Sequence, residues 1–118
     1  MLITNWRDQT PKIVHECGID YRLLSGQSMP PDAPNHCMKG AYYIARAMLQ
    51  PGRAYEAHAH DDHEEIYLIL SGHGSITIDG VCSPIRDGDA IYIAPGEKHS
   101  IAAEGEDFVV FLAVGIQV

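Results

Sequence analysis

Three histidines and a glutamate, His58, His60, Glu65 and His99, offer the donor set of a transition-metal site. Imidazole nitrogen and carboxylate oxygen suit zinc, iron, manganese, nickel or cobalt, and four protein donors leave positions for water or substrate on a six-coordinate ion. His58 and His60 stand one residue apart, and side chains on an extended strand alternate with period two, so the two imidazoles share a face about 6.6 Å apart. Both can reach one ion. Among apolar walls such an ion lowers the pKa of bound water or polarises a carbonyl or enediolate, more strongly where bulk water is excluded. Acid-base work then falls to neighbouring side chains. The candidates are Tyr92, Tyr67, Glu56 and Tyr43: Tyr67 shares strand parity with Glu65, and Glu56 lies two residues before His58. Against each stands the plainer role of a packed ring or a solvated carboxylate.

The elements that must position these residues read as strands and tight turns. Glycines at 72, 80, 88 and 96 recur at near-regular intervals, and short strands with such punctuation indicate an all-β sandwich or barrel. Residues 65–70 form an apolar run with two hydrophobic faces, which predicts burial on both sides. Ser75 to Asp79 alternates, and Asp79-Gly80 has the chemistry of a type I′ hairpin turn into Val81 to Arg86. Ala90 to Ala94 is the next strand, ended by Pro95, which cannot donate to a ladder. His99 to Ala103 and Asp107 to Val114 complete the series. Upstream, Tyr42, Tyr43 and Ile44 make Ala41 to Leu49 a strand rather than a helix, stopped by Pro51-Gly52. Gly26 to Pro34 has loop chemistry, and residues 11–24 supply edge strands.

Two stretches sharpen the metal reading. In the first, Gly52 precedes the His58-Ala59-His60 triplet by five intervening residues, Glu65 follows after four more, and Gly72 closes after a further six. In the second, Gly88-Asp89, a hydrophobic strand, Pro95-Gly96 and His99 arrive in order. Together they resemble the two motifs of the cupin superfamily, over roughly residues 51–114. Pro95 abuts Gly96 where the strict pattern interposes one residue, and Ala103 stands where asparagine often follows; neither touches a ligand. The resemblance implies a double-stranded β-helix (jelly-roll) barrel over 41–118, with residues 1–40 an arm of the same domain. It implies His58, His60, Glu65 and His99 as ligands of one divalent ion (Fe, Mn, Ni or Zn), and a homodimer paired through N-terminal strands. Glu64 competes with Glu65, and the spacing to Gly72 and the parity with Tyr67 select Glu65.

Other chemistry-bearing residues have ordinary roles. His63 reads as a solvent-facing loop histidine, adjacent His36 and Cys37 point opposite ways on an extended chain, and Cys82 packs as a small apolar residue. His15 and His73 receive no role.

Composition bounds the function. The 118 residues suffice for one core. A net charge of −8, with no Lys/Arg cluster, argues against a nucleic-acid partner. Met1 to Trp6 lacks the features of a secretion signal, no run approaches a membrane span, and three scattered cysteines fit a reducing compartment, so a cytoplasmic location is expected. Three functions follow from the resemblance: a metal-dependent enzyme acting on an oxygen-rich small molecule by dioxygenase, decarboxylase or lyase chemistry; a non-catalytic small-molecule or sugar-binding module; and a sugar isomerase or epimerase. The last ranks below the others because only Arg46, Arg53, Arg86 and Lys98 lie near the motifs to meet an anionic sugar.

Overall fold

The computed structural model describes residues 1–30 and 35–118. Among these, ten strands follow a 3-10 turn at Trp6–Asp8: β1 (Lys12–Val14), β2 (Gly18–Gly26), β3 (His36–Met38), β4 (Ala41–Leu49), β5 (His63–Ser71), β6 (His73–Ile78), β7 (Val81–Arg86), β8 (Ala90–Ile93), β9 (His99–Ala103) and β10 (Val109–Gln117). They form a seven-stranded sheet in the order β1-β2-β4-β10-β5-β8, with β3 parallel to β2, and a three-stranded sheet β7-β6-β9. The architecture is an all-β jelly-roll barrel. Residues 31–34 of the expected Gly26 to Pro34 loop lie outside the described residues.

The strands fall where turn chemistry and alternation put them. Asp79 and Gly80 take φ values of 48° and 83°, the pair of positive angles a type I′ turn needs, and β6 and β7 pair in register from Ile78↔Val81 to His73↔Arg86. The core lies between the two sheets: Leu49, Tyr67, Ile69 and Phe111 from the larger one meet Ile76, Ile85, Ile101 and Ala103 from the smaller. Leu49 and Phe111 are fully buried, and removing such side chains from water stabilises the fold by roughly 1.5–3 kcal/mol each.

Two packing expectations are corrected. β5 is buried on one face only: Glu65, Tyr67 and Ile69 point inward, while Leu68 and Leu70 are 39% and 49% exposed because, among the described residues, no second layer covers that side. Cys82, on edge strand β7, is exposed rather than packed, and all three cysteines are free.

The register across the large sheet builds the space for a site. Arg22 on β2 aligns with Ala45 on β4, then Ala113 on β10, then Tyr67 on β5. The next inward row is Tyr43, Gly115 and Glu65. Alanine and glycine at the centre of these rows leave a hollow flanked by larger polar side chains.

Candidate metal centre

Three segments supply the four donors: the stretch before β5, β5 itself and β9. The stretch from Gly52 to His60 is not a regular strand, but it runs antiparallel to β9 and is pinned to it. Tyr55 N–H donates to the Ile101 carbonyl at 2.9 Å, and His58 and His99 exchange both backbone hydrogen bonds, at 3.0 and 2.8 Å. A reciprocally bonded antiparallel pair projects its side chains to the same side. The ring centroids of His58 and His99 are accordingly 4.3 Å apart, and those of His58 and His60 4.9 Å. Gly96 N–H holds the His60 carbonyl at 2.7 Å, and Glu65 arrives from β5. One donor atom from each of His58, His60, Glu65 and His99 lies within 4.8 Å of every other.

The hydrogen bonds around the ring fix which nitrogens face inward. Nδ1–H of His58 donates to the Glu56 carbonyl, and Nδ1–H of His99 to the Glu97 carbonyl, both at 2.9 Å. That leaves the Nε2 lone pairs for the centre. Nε2 of His60 and of His99 each stand 3.2 Å from Oε1 of Glu65. Oε1 and the His99 Nε2 are buried without a hydrogen-bonding partner of acceptable geometry. Lone pairs facing a carboxylate oxygen at that distance need a proton or a cation between them, and this donor set suits a divalent transition ion. Tyr43 O–H donates to the other carboxylate oxygen, Oε2. The reach is possible because Gly115 lies between them: a Cβ there would stand 2.5 Å from the Tyr43 ring.

The donors open onto a cavity of about 160 Å³ lined by Asp20, Arg22, Tyr43, Tyr55, Tyr67 and Phe111 among others. Residues 45–115 match the cupin domain, well over half of the chain.

The chain belongs to the cupin family.

Over 74 residues, 63% of its length, this cupin is 40% identical to an oxalate-binding protein of Thermotoga maritima, 61% of which the match covers. Over 60 residues, 51% of its length, it is 43% identical to a dimethylsulfoniopropionate lyase of Ruegeria pomeroyi, 39% of which is covered. The chain thus matches less than two thirds of either relative. The crystal structure of a predicted oxalate decarboxylase from Thermotoga maritima superposes with a TM-score of 0.84 at 30% identity, over 99% of this cupin and all of that chain.

Electrostatics in this cupin follow from burial and pairing. Burial works to raise the Glu65 carboxyl, but the His99 imidazole beside it, the hydrogen bond from Tyr43 and the nearby His60 outweigh it, and the net shift is downward. Burial works to lower His99, yet the adjacent Glu65 carboxylate and the Glu97 carbonyl raise it overall. His60 is lowered, chiefly by burial. Tyr43, Tyr55 and Tyr67 are all pushed up by burial first, with Glu65 adding to the effect, so they remain phenols.

The proposed acid-base residues divide. Tyr67 lines the cavity, its ring 4.7 Å from Phe111 and 6.4 Å from His99. The placement of Tyr92 and Glu56 does not meet the expectation that they serve the ion. Tyr92 points from the outer face of β8, 55% exposed, and its hydroxyl donates to Glu64 at 2.5 Å, because Ile91 and Ile93 take the inward parity. The Glu56 side chain is exposed, and only its backbone carbonyl serves the site. Glu64 is thereby occupied outside the barrel. His63 opens β5 half-buried, bonded to Asp62 at 2.7 Å and stacked 4.4 Å from His60, so it is no free loop residue.

Sequence reasoning missed Asp20, Arg22, Tyr55 and His15. On β2, Asp20 and Arg22 alternate with Ile19, Tyr21 and Leu23, a pattern that reads as a polar face toward solvent; here that face looks into the barrel. His15 sits in the β1–β2 turn, where His15 and Glu16 both hold positive φ, 49° and 65°. Its ring stacks on His58 at 4.2 Å. Non-glycine residues in that region cost about 1–2 kcal/mol, and nothing local in the sequence announces it.

Proposed function

We propose that this cupin binds one divalent transition metal through His58, His60, Glu65 and His99 and uses it to hold and convert a small oxygen-rich acid of the oxalate class, by decarboxylase- or lyase-type chemistry. The observation that carries this reading is the gathering of four donors within 4.8 Å on the wall of a cavity sized for a very small molecule. The likeness to the oxalate-binding protein and to the predicted oxalate decarboxylase supports the substrate class, and that to the lyase supports cleavage chemistry.

A bound ion supplies a Lewis acid for the acid's oxygens. The chain does the rest. The carbonyls of Glu56 and Glu97 hold the imidazoles of His58 and His99 in the tautomer that aims Nε2 inward, and Tyr43 fixes the Glu65 carboxylate. Tyr67 and Phe111 form a dry wall. Tyr67 also presents the phenol nearest in sequence to the ligand Glu65, on the same inward face, and is the acid-base candidate carried forward.

The 1–40 arm and the 41–118 barrel fold as one unit in this reading, because β2 lends a wall to the cavity. Two copies pair as a homodimer. A reducing, cytoplasmic location accords with the three free cysteines.

Elemental analysis of protein purified without chelator or histidine tag is the first test, and near-stoichiometric manganese, iron, nickel or zinc is expected. The Mn(II)-loaded protein is then incubated with oxalate, where hydrogen oxalate splitting into formate and carbon dioxide balances without a further reactant. A second reading, capture without turnover, is favoured by the relative that is named for binding alone. Saturable oxalate binding by calorimetry with no formate after long incubation selects it. Absence of both metal and oxalate binding rejects both readings.

A further inference from the structure

The wall of the cavity opposite the metal donors carries polar groups with nothing to bind. Oδ1 of Asp20, Nε of Arg22 and the hydroxyl of Tyr55 are each buried and lack a hydrogen-bond partner, and all three residues line the same hollow as His58, His60 and Glu65. Buried polar groups are almost always paired, so three orphans around one space mark a ligand that is not part of the chain. Their placement is built in. Gly18, Asp20 and Arg22 share one face of β2, and a Cβ on Gly18 would stand 2.5 Å from the Tyr55 hydroxyl, so the glycine admits the phenol to this wall. The Arg22 guanidinium lies 4.8 Å over the ring of Tyr43, the same tyrosine whose hydroxyl holds Glu65. Between β2 and β5 the sheet contributes only Ala45 and Ala113 in that row, which keeps the middle of the hollow open.

We propose that Asp20, Arg22 and Tyr55 form a second binding pole that takes the far carboxyl of a short dicarboxylic acid whose near end is held at the metal donors. This rests on the metal reading of those donors and adds the residues that make the site specific for a two-ended acid. The chemistry matches group by group. One far oxygen accepts from Arg22 Nε–H and Tyr55 O–H, and the other shares a single proton with the Asp20 carboxyl. The Asp20 charge opposes a bare dianion, while Arg22 offsets it, so the pole suits a carboxyl paired through that proton rather than a second free anion. Size agrees as well: an engineered cavity of about 150 Å³ takes up benzene, and oxalate has as many non-hydrogen atoms.

The test compares oxalate with isobutyrate on Mn(II)-loaded protein by calorimetry. Isobutyrate has the same number of non-hydrogen atoms and a carboxylate for the metal, but presents two methyl groups where oxalate has its far carboxylate oxygens. The wild type is expected to bind oxalate the more tightly. Tyr55→Phe, which keeps the ring, and Arg22→Gln are each expected to weaken oxalate about tenfold or more, with isobutyrate affinity and Mn(II) uptake unchanged. The inference is overturned if oxalate and isobutyrate lose affinity in parallel, or if neither loses any in Tyr55→Phe, while Mn(II) still binds. A wild type that takes up no Mn(II) is a different failure, because it removes the metal reading beneath the inference.

Discussion

At the scale of single residues, three of the proposed ligands, His58, His99 and Glu65, are each oriented by a hydrogen bond to a neighbour. His99 is the clearest case. Burial works to lower its pKa, but the Glu65 carboxylate 3.2 Å away and the Glu97 carbonyl raise it overall, so a proton held between His99 and Glu65 competes with a cation. Metal must displace that proton, so affinity for Mn(II) or Zn(II) is expected to keep rising with pH above the ~6.5 of free imidazole. A binding constant that levels off below pH 6 would contradict the pairing. Asp20 carries a separate pH signature. Burial, partly offset by Arg22, pushes its carboxyl from 3.8 up to about 6. A raised carboxyl binds protons better folded than unfolded, so its contribution is most favourable below pH 3.8 and is lost as pH climbs through 6. The whole shift amounts to roughly 3 kcal/mol. Asp20→Asn is therefore expected to raise the melting temperature at pH 8 and to leave it nearly unchanged at pH 4. Equal effects at the two pH values would show that Asp20 does not titrate in this way.

At the scale of elements, the site depends on small residues in the strands. β10 carries Gly115 between Tyr43 on β4 and Glu65 on β5, and the tyrosine crosses that gap to reach the carboxylate. Gly115→Ala puts a methyl group into the Tyr43 ring, so the hydroxyl must leave Glu65. Loss of such an outer hydrogen bond typically costs 10- to 100-fold in metal affinity. Metal titration of Gly115→Ala and of Tyr43→Phe is expected to give similar losses in that range, whereas His60→Ala, which removes a donor, is expected to abolish stoichiometric occupancy. If Gly115→Ala binds metal like the wild type while Tyr43→Phe does not, the glycine gap is not what positions the tyrosine.

At the scale of the whole molecule, the outward face of β5 displays Leu68 and Leu70, with Tyr92 beside them on β8. Among the described residues no helix is long and apolar enough to cross a membrane, so this apolar face is not part of a helical span. The proposed dimer pairs instead through the N-terminal strands, where Ile13 on edge strand β1 is 66% exposed, and Ile13→Glu is expected to shift the sedimentation mass from twice 13.0 kDa to 13.0 kDa. A wild type that sediments at 13.0 kDa at high concentration would remove the dimer. Because metal binds the folded state, loading should also raise the melting temperature, by an amount that grows with free metal concentration.

The amino-acid sequence by itself determined the all-β class, the β4 to β10 series and the proximity of His58, His60, Glu65 and His99, since local rules govern these: turn glycines, alternation, and ligand spacing within two short motifs. Ala41–Leu49 came out as a strand with the bounds read from its aromatic and β-branched residues. The tertiary structure alone decided which face of each strand looks inward. Alternation distinguishes two faces but does not say which one meets the barrel, so Tyr92, an acid-base candidate by sequence, lies outside, while Asp20 and Arg22 have the pattern of a solvated face and line the cavity. Pairing of β2 with β4, between segments distant in sequence, settles that choice, because one strand's register fixes the direction of every side chain along it.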